Sequence, residues 1–228
     1  MNVLREDSLL PIIQNNQSFF GRDLLYTREL SSGFGIADIV FYSLNEKIVK
    51  ERRSHCIPPI DSFEIVNILT RLNSISKEKI SLTFIKDAFP EYKRKNKKII
   101  SYLIENGFLV PDEKDVNVFI KGESYKIGLK EVVAIEAKLS NWKRGLYQAY
   151  RYREYANRSY LALHSKFIHR ALRGLNDFVR YNVGLIEVKD DGIDIIFEPL
   201  NEELKENVYS ALVYEDLLVR SESVSPNL

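Results

Sequence analysis

Three ionisable residues stand where ionisable residues are costly. Asp38 lies inside the apolar stretch Gly35-Ile36-Ala37-Asp38-Ile39-Val40-Phe41, and Glu136 and Lys138 lie inside Val132-Val133-Ala134-Ile135-Glu136-Ala137-Lys138-Leu139. Both stretches have the composition of β-strands. Residues i and i+2 of a strand share a face, so Glu136 and Lys138 emerge side by side while Ile135 and Ala137 point the other way. An acid and a lysine on an apolar strand must be paired or bound to something. If the two strands are neighbours, Asp38 joins them.

Two carboxylates with a backbone carbonyl suit Mg²⁺ (with Mn²⁺ as a substitute), a hard cation that takes oxygen ligands and keeps waters for a substrate phosphate. A lysine beside them can orient the attacking water or stabilise charge in the transition state. Together these groups suffice for phosphodiester hydrolysis. The plainer alternative is a solvated Glu136–Lys138 edge, which contributes little energy. Asp38 as a turn or cap residue fits poorly with its apolar flanks.

Asp38 followed by Glu136-Ala137-Lys138 resembles the D…(D/E)-x-K signature of the PD-(D/E)XK nucleases, with Ala37 where many members have proline. Gln148-Ala149-Tyr150-Arg151-Tyr152, directly after the signature strand, is similar to the Q-x-x-x-Y motif of the RecB-like branch. The resemblance covers about 22–45 and 128–190. It implies that Asp38 and Glu136 are metal ligands, Lys138 is the catalytic lysine, and Gln148 and Tyr152 position the site. Glu29 would be a second-metal ligand. A salt bridge to Arg28 explains Glu29 as well, and plain core packing explains Tyr152. The gap between Asp38 and Glu136 is much longer than is usual in the family, which calls for an insertion between two core strands.

The elements that must position these residues can be read from periodicity. Residues 1–21 read as a helix or loop ending at Gly21. Strands are expected at 23–30 and 35–44 around a Gly-bearing connector, 31–35. A buried strand at 131–139 is followed by a helix from Trp142, a strand at 159–164, one helix over 166–181, and strands at 183–188 and 193–200. The order is α/β: a restriction-endonuclease-like mixed sheet flanked by helices. The last 25 or so residues begin helical and end in a polar tail, SESVSPNL, expected to be loose. Between the two halves of the site, Asp61 or Ser62 can cap a helix with Ile65, Ile68, Leu69 and Leu72 on one face. Ser81 can cap a second, closed by Pro90, and a longer third runs from Glu91 to Gly107. A strand pair follows. Three helices and a hairpin resemble a winged helix, and fit a purely structural insert equally well, so 48–125 reads as a small inserted winged-helix-like domain within a core of 1–47 and 126–228.

Lys and Arg (33) nearly balance Asp and Glu (32), so any nucleic-acid surface must come from local segregation of charge. The densest basic run is Lys93, Arg94, Lys95, Lys97 and Lys98, at the start of the would-be recognition helix, where a purely solvated helix face reads equally well. Lys143, Arg144, Arg151 and Arg153 make a second basic surface beside the site. Trp142 reads as a packing residue. His164, His169 and the lone Cys56 lack zinc-ligand spacing, Gly33-Phe34-Gly35 is too short for a phosphate loop, and no Walker motif is present. The N-terminus carries an acidic pair ahead of its short apolar run, unlike a signal peptide. No run approaches the roughly 18 apolar residues of a membrane span, and a single cysteine fits a reducing, cytoplasmic setting.

The expectation is a Mg²⁺-dependent deoxyribonuclease, acting as a homodimer if it cuts both strands of a duplex. Two rivals are a non-catalytic DNA-binding or regulatory protein that keeps the fold, and a structural partner in a larger assembly.

Overall fold

A computed structural model describes residues 5–33, 35–92 and 94–224. It divides into two compact units, Met1–Asn45 with Gly128–Leu228, and Glu46–Ile127. These boundaries lie two residues outside those expected for the insert. No helix is long and apolar enough to cross a membrane, among the described residues.

In the first unit, α1 (Leu9–Asn15) precedes a hairpin of β1 (Leu25–Ser31) and β2 (Ile36–Leu44). The second unit interrupts the chain here with α2 (Glu46–Ser54), α3 (Phe63–Asn73), β3 (Lys79–Ser81), α4 (Leu82–Ala88), α5 (Asn96–Glu105), β4 (Leu109–Pro111) and β5 (Val118–Lys121). The first unit resumes with β6 (Leu129–Lys138), α6 (Trp142–Tyr152), β7 (Arg158–His164), α7 (Ser165–Leu172), α8 (Leu175–Tyr181), β8 (Gly184–Val188), β9 (Ile193–Phe197) and α9 (Val208–Val224). Its sheet has the order β1-β2-β6-β7-β8-β9. The centre, β6-β7-β8, is parallel, and both flanks are antiparallel. The mixed α/β architecture expected for the core is present.

The alternation of β2 and β6 decides what each face carries. Ile39, Phe41, Val133, Ile135 and Ala137 pack with Leu9 and Ile13 of α1 on one face. Leu161, Leu163 and Leu185 on the other face are covered by Leu146 and Ala149 of α6, Ile168 and Ala171 of α7, and Phe178 of α8. Burial on both sides is what makes β6 and β7 read as unbroken apolar runs. Asp38, Glu136 and Lys138 belong to the α6 side, out of phase with Ile39, Ile135 and Ala137.

One expected helix is two. The stretch 166–181 breaks between α7 and α8 at Gly174, where an added Cβ would lie 2.4 Å from the Trp142 ring. Trp142 stacks on Phe178 with ring centroids 5.9 Å apart, as a packing residue should. The C-terminal helix runs through residues 221–224, which were expected to be loose; residues 225–228 lie outside those described.

The second unit contains a three-stranded sheet, β3-β5-β4, antiparallel throughout. Ser62 caps α3 by accepting from Ile65 N, and Ser81 caps α4 by accepting from Phe84 N, as their types and positions predict. Ile65, Val66, Ile68, Leu69 and Leu72 are all buried. Gly107 takes φ +75° past the end of α5, the left-handed stop expected of it. Three details differ from expectation. α2 and the short β3 had no clear signal, because one is highly charged and the other only three residues long. The third helix begins at Asn96, after a 3-10 turn at Pro90–Tyr92, so much of the basic run precedes it.

Candidate functional site

The ladder between β2 and β6 ends at the pair Ile39↔Ile135. One residue further along, in the same register, Asp38 stands opposite Glu136. Here the strands part, and the carboxylate replaces the backbone partner: Ala137 N donates to Asp38 Oδ2 at 2.7 Å. Asp38 Oδ1 takes no partner among the described residues, and the side chain is 31% exposed.

Glu136 is almost fully enclosed, at 1% exposure. Its Oε1 lies 2.6 Å from Lys138 Nζ, and its Oε2 accepts the hydroxyl of Tyr152. Tyr152 Oη is also 2.7 Å from Ile36 O, so one phenol ties α6 to both strands of the site. Burial explains why a tyrosine at helical spacing is core, and its two polar contacts show that it is also part of the cluster. Lys138 Nζ is 4.0 Å from Asp38 Oδ2, so one ammonium faces both carboxylates. The lysine stem passes α6 at Gly145, where a Cβ would meet Lys138 Cγ at 3.0 Å and Leu161 Cδ1 at 2.5 Å. A glycine at this position lets the helix approach that closely.

Electrostatics follow from this geometry. Burial pushes the Asp38 carboxyl up, against the opposing pull of the Ala137 amide and Lys138. Burial likewise raises Glu136 more than Lys138 and Tyr152 lower it. For Lys138, burial alone would favour the neutral amine, but Glu136, Asp38 and Glu6 outweigh it and hold the ammonium above its ordinary value. The carboxylates therefore sit in a place that favours a positive charge between them.

Glu6 is the member that sequence reasoning missed. Its Oε2 lies 3.4 Å from Lys138 Nζ and its Oε1 accepts from Leu139 N at 3.4 Å. The only signal was the acidic pair Glu6-Asp7 ahead of α1, which spoke against a signal peptide and carried no spacing relation to the strands. Asp7 also raises Asp38 through its charge.

The remaining expected residues are placed less uniformly. Glu29 falls opposite Asp38 by the numbering of the β1–β2 ladder, but the ladder skips that pair. Glu29 has φ +53° and is exposed, and its carboxylate makes no hydrogen bond or ion pair among the described residues. The structure therefore does not bring it into the cluster as a ligand. Gln148 lies on α6 one turn before Tyr152, with its Oε1 buried and without a partner among the described residues. Lys143 and Arg144 are exposed in the first turn of α6, and Arg151 is half-buried with its guanidinium 5.9 Å from the Tyr147 ring. Arg153 pairs with Glu202.

In the second unit, Arg94, Lys97 and Lys98 are exposed, whereas Lys95 is paired with Glu64. The ammonium beside Glu64 holds that carboxyl down to about 2. Lys93 lies outside the described residues.

Oxygen donors dominate the cluster, which fits a hard divalent cation and not zinc. Among the described residues no three His, Cys, Asp or Glu side chains gather in a metal-holding group. Two carboxylates would leave most coordination positions to water and substrate, the usual arrangement for Mg²⁺.

No family model matches the sequence, and no curated protein matches it. Among solved structures, a protein of unknown function from Silicibacter pomeroyi matches with a TM-score of 0.31 at 17% identity, over 54% of this chain and 81% of that one. That likeness is too slight to assign fold or function.

Proposed function

We propose that this protein is a metal-dependent nuclease of the PD-(D/E)XK type, hydrolysing phosphodiester bonds in DNA. The observation that carries the proposal is the meeting of Asp38 and Glu136 at one ammonium, that of Lys138, where β2 and β6 part. Asp38, held by the Ala137 amide 99 positions away, is half-buried and Glu136 is buried, and enclosing two acids around one lysine costs stability unless the cluster has a role. The mixed sheet and the contact from Tyr152 to Glu136 support the same family, and the Gln148/Tyr152 spacing agrees with its RecB-like branch. The order α3-β3-α4-α5-β4-β5, with its β3-β5-β4 sheet, supports a winged-helix-like insert.

Asp38 and Glu136 would hold Mg²⁺, with Mn²⁺ able to replace it. When bound, the ion supplies charge neutralisation at the phosphate and activates a water. Lys138, kept protonated by its acidic neighbours, stabilises charge developing on the phosphoryl oxygens or orients the water. Tyr152 fixes the Glu136 carboxylate, and the Ala137 amide fixes that of Asp38. Gln148 contributes positioning from the same helix face as Tyr152. A cytoplasmic protein acting on DNA, dimeric when both strands are cut, is the corresponding setting. The test is cleavage of a supercoiled plasmid and a labelled single strand, each with Mg²⁺, Mn²⁺ and EDTA. No cleavage by wild type in either divalent ion would remove the proposal.

A further inference from the structure

The outer face of α6 carries features that the candidate site does not use. α6 contains no Asp or Glu, in a chain whose acids and bases otherwise balance. Lys143 and Arg144 are exposed and make no ion pair among the described residues, unlike Lys95, which Glu64 neutralises. Two tyrosines interrupt these cations, Tyr147 at 64% exposure and Tyr150 at 42%. Tyr150 lies beside Tyr181 of α8, ring centroids 5.2 Å apart, with Arg153 over one ring at 5.7 Å and Arg180 over the other at 5.6 Å. Both tyrosines keep aromatic surface in solvent beside the exposed Lys143 and Arg144 cations, although Tyr150 also packs on Tyr181.

Helix geometry joins this surface to the site. At about 100° per residue, the order around α6 starting from Tyr152 and Gln148 is Arg144, Arg151, Tyr147, Lys143 and then Tyr150. Tyr152 touches Glu136. The arc of cations and aromatics therefore begins at the edge of the Asp38–Glu136–Lys138 cluster and runs away from it to Tyr181.

We propose that this arc is a track for single-stranded DNA, along which phosphates meet the Lys143, Arg144 and Arg151 cations and unpaired bases stack on Tyr147 and Tyr150. Its destination rests on the nuclease proposed above. Stacking needs a base with a free π-face, which a duplex keeps inside its own stack, so the alternation of aromatic and cation selects the unpaired strand. Phosphate contacts alone would bind duplex as readily.

The test is fluorescence anisotropy on the full chain in EDTA, with a labelled oligo-dT strand and a duplex of equal length. Binding is thereby read without cleavage. The single strand should bind at least about tenfold more tightly than the duplex. Y147A/Y150A should lower single-strand affinity by at least about tenfold, whereas Y147F/Y150F, which keeps the rings, should stay within about threefold. K143A/R144A should flatten the log–log salt dependence by about 1.4, at roughly 0.7 for each lost phosphate contact. Equal affinity for duplex, or alanine variants that bind like wild type, would overturn the track. Cleavage by wild type in Mg²⁺ is scored separately. If the variants lose binding while wild type cuts nothing, the track stands and the nuclease falls. If wild type cuts while Y147A/Y150A binds normally, the track falls and the nuclease stands.

Discussion

The backbone amide of Ala137 donates to Asp38 Oδ2 at 2.7 Å, one residue beyond the last paired position of the two strands that carry them. A side chain has taken the place of a ladder bond. This substitution opens a gap between β2 and β6 without leaving a buried amide unsatisfied. It also aims the Asp38 carboxylate at the same space as Glu136 and Lys138. The site thus exists because β2 and β6 are adjacent and part at this point.

Tyr152 should matter to both fold and site. Tyr152→Phe removes the hydroxyl that donates to the buried Glu136 Oε2, which leaves that acceptor without its donor. Urea unfolding should show a loss of about 1–3 kcal/mol. A loss below a few tenths of a kcal/mol would mean that the hydroxyl is replaced by water at no cost.

Gly145 should control the position of the lysine. In Gly145→Ala the new Cβ meets Lys138 Cγ at 3.0 Å and Leu161 Cδ1 at 2.5 Å. The gain in helix propensity of up to about 1 kcal/mol offsets only part of the crowding against the buried Leu161, so stability should fall by about 1–2 kcal/mol. Cleavage should fall by at least about tenfold, since sub-ångström displacement of a catalytic group is expensive. Activity equal to wild type, with the fold intact, would show that the Lys138 stem tolerates the shift.

The chain ends flanking the second unit meet: Asn45 N donates to Gly128 O at 2.8 Å. Residues 46–127 can therefore be excised and replaced by a short Gly/Ser bridge with little loop-closure cost. The shortened protein should unfold cooperatively and keep its far-ultraviolet dichroism for a mixed α/β fold. A product that never folds would show that the first unit depends on the second.

The Glu64–Lys95 pair gives a pH signature for the second unit. Glu64 is held down to about 2 by Lys95, its own backbone amide and Ser62, against an ordinary value of 4.5. A depressed acid stabilises the fold above its unfolded value and loses that contribution as pH falls through the folded one. Glu64→Gln should thus be less stable than wild type at pH 7, by no more than about 1 kcal/mol because the pair is largely solvated. The difference should close between pH 4.5 and about 2. A gap that persists unchanged at pH 2 would point to lost packing and not to lost charge.

Much of this was visible in the sequence wherever one residue type has one physical use. Lone ionisable residues in apolar strands marked Asp38, Glu136 and Lys138, and hydroxyls ahead of amphipathic runs marked the starts of α3 and α4. What could not be read depends on three-dimensional proximity. Glu6 has no sequence relation to Lys138, 132 positions away, and reaches it only because the N-terminal segment runs past the end of β6. The break at Gly174 depends on where the Trp142 ring rests, and the pairing of Lys95 depends on a helix 31 residues earlier. Glu29 precedes Asp38 by one strand, as its position suggests, but it is exposed at φ +53° and the β1–β2 ladder skips it, which the sequence does not signal.

The central claim is that Asp38, Glu136 and Lys138 form one catalytic centre with divided roles. Its most direct measurement is cleavage of a supercoiled plasmid in Mg²⁺ by wild type, Lys138→Ala and Asp38→Ala, paired with calorimetric titration of Mn²⁺ into each protein. Wild type should cut in Mg²⁺ and not in EDTA. Lys138→Ala should lose at least about a hundredfold in rate yet still bind Mn²⁺, because the lysine acts on the reacting groups and not on the ion. Asp38→Ala should lose both. Equal cleavage by wild type and Asp38→Ala would contradict the assignment.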